Sequence, residues 1–160
     1  MERLTKSQYY IDIARSVAMR STCIRRRVGA VIVKNDQIIS TGYNGAPRRA
    51  VNCTDLGYCV CGRDENAPFD ENHESCRAVH AEMNAIIHAS RLDMVGSDMY
   101  LAGIEVESGR PVDEIAPCLL CKRVIMNAGI ARIIIRATEE RFKYIDVDDL
   151  SIEERISAPL

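Results

Sequence analysis

Two short motifs constrain the fold of this chain more than any other feature of its sequence. His80-Ala81-Glu82 begins one predicted helix, and Pro117-Cys118-Leu119-Leu120-Cys121 begins another. Two thiolates three residues apart at a helix start lie on one face, where free backbone N–H groups and the helix dipole stabilise their negative charge. One added imidazole makes three ligands for a single metal ion. The fold therefore has to bring the two helix starts side by side.

The ligand types indicate a catalytic site rather than a closed structural one. His80, Cys118 and Cys121 leave the fourth position of a tetrahedral zinc ion open to water. Glu82 follows the histidine by two residues, and we expect it to face that water without binding the metal. Zinc lowers the pKa of bound water toward neutrality, so a nearby carboxylate can take its proton and redeliver it to a ring nitrogen and a leaving amine. The four residues predict a hydrolytic deamination.

Each motif alone has an ordinary alternative. A bare H-x-E is usually accidental, and a lone C-x-x-C equally fits a redox or structural zinc site. The combination, in this order and with both halves at helix starts, is the signature of zinc deaminases. The alternative from another class is a non-catalytic zinc module that binds a partner. Glu82 argues against it, because a structural site has no use for an unligated carboxylate.

Size and charge predict one domain with a small-molecule ligand. The chain has 160 residues, 47% of them apolar, which suits a single domain over 1–160 and is short for two. Its 21 basic and 23 acidic residues nearly cancel, so a nucleic-acid partner is not expected. Nothing approaches the roughly 20 apolar residues of a membrane span, and MERLTKSQYY lacks the apolar core of a signal peptide. We expect a cytoplasmic protein with no membrane contact.

Hydrophobic periodicity predicts an α/β fold with helices packed on a mixed sheet. The predicted helices lie around 9–18 and 79–90, from Cys118 onward, and near 148–156. The predicted strands lie at 28–33, 37–43, 99–106 and 131–136, with the first two forming a hairpin. A long loop over about 45–76 shows no clear period, so it needs a function or a clamp.

With these residues in place, the chain resembles the deoxycytidylate (dCMP) deaminases of the cytidine deaminase-like superfamily. The resemblance covers about 5–136 and is carried by STCIRRRVGAVIVKNDQIISTGYNGAP, HAEMNAII and PCLLCKRVIMNAGI. The TGYNG turn separates this group from a generic deaminase. The resemblance implies a three-layer α/β/α fold with a mixed central sheet, and hydrolysis of dCMP to dUMP and ammonia. It also implies a homo-oligomer, often a hexamer.

The resemblance further implies roles for residues around the metal. Asn44 would bond the sugar, the Ala81 backbone would help fix the pyrimidine, and Val28 would line the base pocket. The 5′-phosphate needs cations, and the adjacent run of Arg25, Arg26 and Arg27 offers guanidinium forks that suit phosphate oxygens. The alternative is that these three arginines form a solvated edge.

Some relatives hold a second, closed zinc that fixes the long loop. This chain offers Cys23, Cys53, His73 and Cys76 in matching stretches, and seven cysteines without an export signal do not suggest disulfides. Four such ligands would close a tetrahedral structural site. Cys59 and Cys61 are competing ligands. The alternative is that small thiols simply fill core space.

The sequence departs from the family pattern in two places. Arg48-Arg49 stands where relatives commonly carry glycine, in a region that binds a regulatory triphosphate in some members. The segment from Gly103 to Ala116 is an insertion between a strand and the metal cysteines, and we expect it beside the active site. The open alternative is a deaminase of another substrate, such as modified dCMP, cytidine or adenosine in tRNA. The mild acidity and TGYNG argue against tRNA, and the arginines against an unphosphorylated nucleoside.

Overall fold

The structure is a computed structural model that describes residues 3–62 and 76–150. Its helices are α1 (Lys6–Ala18), α2 (Cys53–Leu56), α3 (Ala81–Ile87), α4 (Arg91–Met94) and α5 (Leu119–Ala128). Its strands are β1 (Arg26–Lys34), β2 (Gln37–Tyr43), β3 (Asp98–Glu105), β4 (Pro111–Val112), β5 (Arg132–Arg136) and β6 (Phe142–Asp146). Two 3₁₀ turns cover Val60–Gly62 and Val147–Asp149.

The strands form one mixed sheet in the order β2-β1-β3-β5-β6, with β4 paired to β3. The pairs β1–β2, β1–β3, β3–β4 and β5–β6 are antiparallel, and β3–β5 is parallel. Parallel neighbours need a crossover connection, and α5 lies on the one between β3 and β5. The predicted mixed sheet is confirmed.

Helices cover both faces of this sheet, as the period-two alternation of β1 requires. Ala30 and Ile32 belong to a buried cluster with α3 and α5, which defines the α3–α5 face. Val31 and Val33 belong to a second cluster with α1, which defines the α1 face. The three-layer α/β/α architecture follows from this division.

Two glycines allow helices to approach the sheet at backbone distance. A Cβ atom on Gly29 would lie 2.0 Å from the Ala14 carbonyl oxygen of α1. A Cβ atom on Gly42 would lie 2.2 Å from the Ala85 nitrogen and 2.3 Å from the Ala81 oxygen, both in α3. Any other side chain would push these helices outward, so each glycine fixes the depth of one helix.

Polar contacts also hold α3 on the sheet. The Ser40 hydroxyl donates to the Ala85 carbonyl at 2.6 Å, and the Asn84 side chain donates to the Tyr43 carbonyl at 2.7 Å. Both bonds join the hairpin strand β2 to α3. The hairpin therefore positions the helix that begins with the H-x-E motif.

The structure differs from the predicted elements at the end of the chain and in the insertion. Strand β6 was not predicted, because its alternating charged and aromatic residues lie largely exposed at a sheet edge. Of the helix predicted near 148–156, residues 148 and 149 lie in the 3₁₀ turn Val147–Asp149, Leu150 has extended backbone, and the rest falls outside the described residues. The insertion contains the short strand β4. None of the helices within the described ranges has the length and apolarity to cross a membrane.

Candidate metal centre and active site

The two motif helices begin next to each other on the α3–α5 face. His80 is the N-cap of α3, and Cys118 is the N-cap of α5, where its sulfur accepts a bond from the Cys121 backbone N–H at 3.4 Å. Cys121 is fully buried, whereas His80 and Cys118 are half-buried. The predicted convergence of the two helix starts is present.

The three side chains have the spacing of a metal site. The His80 Nδ1 atom lies 3.5 Å from the Cys118 sulfur and 3.3 Å from the Cys121 sulfur. Zinc bonds of about 2.3 Å to sulfur and 2.0–2.1 Å to nitrogen place tetrahedral ligand atoms about 3.6 Å apart, so the donor set fits zinc. Among the residues that the structure describes, this is the one group of three or more such donors whose atoms all lie within 4.8 Å of one another.

The electrostatics of the cluster favour the metal-binding thiolate form of Cys118, whereas the hydrogen bond with Cys118 and burial raise the pKa of the Cys121 thiol. Hydrogen bonds with Cys121 and His80 lower the pKa of the Cys118 thiol to about 3. The contact with Cys118 in turn raises the pKa of the His80 imidazole. A thiolate is therefore already the stable form of Cys118 at neutral pH, and the thiolate is the species that ligates metal ions.

Glu82 is a buried carboxyl group beside these ligands. It lies in the first turn of α3 with 6% of its surface exposed. Burial raises the pKa of this carboxyl group, and its side chain also hydrogen-bonds to the Cys121 thiol. A carboxyl group whose pKa is raised by desolvation at a cavity wall holds a proton more readily than an exposed one, which suits a general acid–base residue.

A cavity of about 440 Å³ opens in front of the cluster, a volume that suits a small ligand. Its wall includes His80, Glu82 and Cys118, and five of the six residues predicted to bind substrate: Val28, Asn44, Ala81, Arg25 and Arg26. Arg27 does not line the cavity. Successive residues of β1 alternate between the two sheet faces, which places Arg27 with Gly29 on the α1 face.

Asn44 lines the cavity with a side chain that is largely committed to the backbone. Its Oδ1 atom accepts from the Val28 N–H at 2.8 Å and from the Ser21 hydroxyl at 2.6 Å. Its Nδ2 atom donates to the Arg26 carbonyl at 2.9 Å. An amide has two donors and two acceptor positions, so one N–H remains for a ligand. Toward a ligand in the cavity, Asn44 can therefore act only as a donor.

Five cysteines outside the metal cluster also line the cavity: Cys23, Cys53, Cys59, Cys61 and Cys76. The Cys59 and Cys61 sulfurs lie 3.0 Å apart, and the Arg25 guanidinium contacts Cys61 at 3.8 Å. Burial raises the pKa of Cys53, and the neighbouring thiols Cys59, Cys23 and Cys76 raise it further. His73, the fourth predicted ligand of a second zinc, lies outside the described residues.

Nine wall residues were not predicted. Six of them are Thr22, Gly45, Ala46, Val60, Arg77 and Ala78. The other three, Glu105, Ile115 and Ala116, belong to the insertion that was expected beside the active site. Their individual positions depend on the pairing of β3 with β1 and β4, which only the register reveals. The one available signal was that Ile115 and Ala116 directly precede the Pro117-Cys118 motif.

Comparison with known proteins assigns the chain to a family. Residues 4–137 match the cytidine and deoxycytidylate deaminase zinc-binding region. The chain is 33% identical over 135 residues to a deoxycytidylate deaminase of Mycobacterium phage D29, covering 84% of this chain and 96% of that protein. It is also 33% identical over 150 residues to the deoxycytidylate deaminase of Saccharomyces cerevisiae, covering 91% of this chain but only 43% of the yeast protein.

Structural comparison gives the same result. The crystal structure of the dCMP deaminase from cyanophage S-TIM5 aligns with a TM-score of 0.54 and 25% identity, covering 82% of each chain. The matched region includes the complete His-Cys-Cys cluster and the Glu82 carboxyl group, which lie within residues 4–137. From the metal-ligand geometry and these matches together, the chain belongs to the zinc-binding cytidine and deoxycytidylate deaminase family.

Proposed function

We propose that the chain is a zinc-dependent hydrolase that converts dCMP to dUMP and ammonia. One observation carries the proposal: a cavity of nucleotide size brings together a His80-Cys118-Cys121 metal cluster, the buried Glu82 carboxyl group and three arginines, Arg25, Arg26 and Arg77. The phage and yeast relatives that match the chain at 33% identity are named deoxycytidylate deaminases, which supports dCMP as the substrate.

In this proposal His80, Cys118 and Cys121 hold the zinc, which when bound lowers the pKa of a water molecule and makes it an attacking group. Glu82 moves the protons. Its carboxylate takes a proton from the water and delivers it to the ring nitrogen of cytosine as the water oxygen bonds to the ring carbon that carries the amino group. It then takes the remaining proton of the added hydroxyl and delivers it to the amino group, which leaves as ammonia when the C–N bond breaks and the carbonyl forms. The buried Ala81 backbone and Val28 flank the base, and Asn44 donates its remaining N–H to the sugar.

A glutamine in place of Glu82 tests the mechanism. Glu82→Gln keeps the size and the hydrogen-bonding capacity but cannot shuttle protons, so turnover should fall about 10²- to 10⁴-fold with zinc content unchanged. Glu107→Gln is the matched control, because Glu107 is exposed in the insertion. Near-normal turnover by Glu82→Gln would refute the assigned role.

Ammonia release from a substrate panel tests the function. The panel contains dCMP, CMP, deoxycytidine, 5-substituted dCMP and adenosine. If Arg25 and Arg26 bind the 5′-phosphate, charged hydrogen bonds of roughly 1.5–3 kcal/mol each predict a preference for dCMP over deoxycytidine of about 10- to 10⁴-fold. Equal turnover of dCMP and deoxycytidine would replace the nucleotide assignment with a nucleoside one. Ammonia release from adenosine alone would show that the substrate base is a purine and not a pyrimidine.

We also propose a second, structural zinc held among Cys23, Cys53 and Cys76, with His73 as the fourth ligand and Cys59 or Cys61 as competitors. The three thiols line the same cavity, which supports a shared site, and their sulfur atoms do not all lie within 4.8 Å of one another in this structure. Reduced thiols at both centres favour a cytoplasmic setting. We further propose that the chain forms a homo-oligomer, for which the family resemblance suggests a hexamer. Analytical ultracentrifugation of the purified protein tests this proposal.

A further inference from the structure

One exposed ion pair stands at the edge of the cavity. Arg26 and Glu105 are directly opposite each other in the β1–β3 ladder, and both line the cavity. The Arg26 Nε–H donates to the Glu105 Oε1 atom at 2.7 Å, and Nη2 donates to the same oxygen. Both residues occupy positions of the α3–α5 face, as Val28 and Ala30 do in β1.

The insertion fixes the backbone of Glu105. The Glu105 N–H donates to the Arg110 carbonyl, and the Glu105 carbonyl accepts from the Gly109 N–H, both at 2.9 Å. The next residue, Val106, donates to the Arg25 carbonyl at 2.9 Å. Glu105 thus closes a tight turn that is bonded to the start of β1. The carboxylate is presented from a rigid support, not from a free loop.

A second ion pair in the same sheet serves as a comparison for the Arg26–Glu105 pair. Arg132 and Asp98 are also directly opposed, across β3 and β5, with bonds of 2.9 and 2.7 Å. Their strand positions belong to the α1 face, and neither residue lines the cavity. Exposed ion pairs of this kind contribute little to stability. The two pairs therefore differ mainly in their surroundings, because only the Arg26–Glu105 pair lines the cavity.

We propose that Glu105 is a positioning residue that orients the Arg26 guanidinium toward the 5′-phosphate of the substrate. Glu105 takes one N–H from Nε and one from Nη2, which leaves three of the five guanidinium N–H groups for phosphate oxygens. A guanidinium held in one orientation loses less conformational freedom when it binds a phosphate. This inference rests on the proposed nucleotide function and adds the residue that sets its phosphate preference.

The test measures kcat and KM for dCMP and for deoxycytidine, with zinc content, in the full-length protein. The variants are Glu105→Ala, Glu105→Gln, Arg26→Ala and the Glu105→Ala/Arg26→Ala double variant, with Asp98→Ala as the matched control. Glu105→Ala should raise KM for dCMP about three- to fivefold, the coupling expected of an exposed ion pair, and shrink the dCMP preference by the same factor. Glu105→Gln keeps an acceptor oxygen and should restore most of the loss.

The double variant decides whether Glu105 acts through Arg26. If it does, removing Glu105 from the Arg26→Ala protein changes nothing further, and Asp98→Ala leaves KM for both substrates at the wild-type value. An unchanged or lowered KM for dCMP in Glu105→Ala, or the same increase with Arg26 already absent, would overturn the inference. Lack of dCMP preference in the wild-type enzyme would overturn the proposed function itself, which separates the two failures.

Discussion

Replacing Gly42 by alanine tests how the hairpin positions the catalytic helix. Gly42 lies under α3, and an alanine Cβ there would stand 2.2 Å from the Ala85 nitrogen and 2.3 Å from the Ala81 oxygen. Ordinary contacts of a Cβ atom begin near 3.4 Å, and the clashing atoms are helix backbone that cannot rotate away. The helix therefore has to move outward by about 1 Å, and His80 and Glu82 move with it.

Two effects of different size follow from that displacement. Overpacking of a helix against a sheet costs about 1–3 kcal/mol of unfolding free energy. Metal-ligand distances tolerate only about 0.2 Å of change, and a 1 Å misplacement of catalytic groups costs about 10²-fold in rate. We expect Gly42→Ala to remain folded but to lose zinc affinity and at least about 10²-fold in turnover.

Gly29→Ala is the matched comparison. Its Cβ would lie 2.0 Å from the Ala14 oxygen, an equally severe clash, but it displaces α1 on the opposite face, which carries no metal ligand. Urea unfolding, zinc per chain and turnover of dCMP are measured for both. The reasoning predicts similar losses of stability and very different losses of turnover. Equal losses of turnover, or a fully active Gly42→Ala, would refute it.

Three further predictions concern titration and metal. Burial raises the pKa of Tyr100 to about 12 from 10.0, so this stabilising contribution is complete below pH 10 and is lost as the pH rises toward 12. Tyr100→Phe should therefore remove about 2–3 kcal/mol of the alkaline loss of stability, measured by urea unfolding between about pH 9 and 12, and an unchanged alkaline loss would contradict this. Cys53→Ser should release the second zinc and lower the melting temperature while the catalytic zinc stays; unchanged metal content and melting temperature would remove that site. A chelator should inactivate the enzyme before it unfolds it, because the catalytic site opens to a cavity, and simultaneous loss of activity and circular dichroism would contradict this.

The sequence was sufficient for the metal cluster and the layered fold because both depend on local patterns. Helix-start signals placed His80 and Cys118 correctly, and period-two runs identified the buried strands. Prediction failed where non-local pairing decides the outcome. Glu105 enters the cavity wall through its register with Arg26, and no local pattern contains that register. The run of three arginines looked uniform, but the pleat of β1 separates Arg27 from Arg26, and Arg25 precedes the strand.

The two faces of β1 make that strand sensitive to odd-numbered changes in length. Residues of the α3–α5 face, which include the cavity-lining Arg26 and Val28, alternate along it with residues that pack under α1, from Arg26 to Val33. A single-residue deletion near Val28 would exchange the two sets, turning Arg26 away from the ligand and placing Gly29 under the wrong helix. A two-residue change would keep the alternation. We expect natural variation in the length of this strand to occur in pairs, since recognition and packing are encoded on alternate residues of one segment.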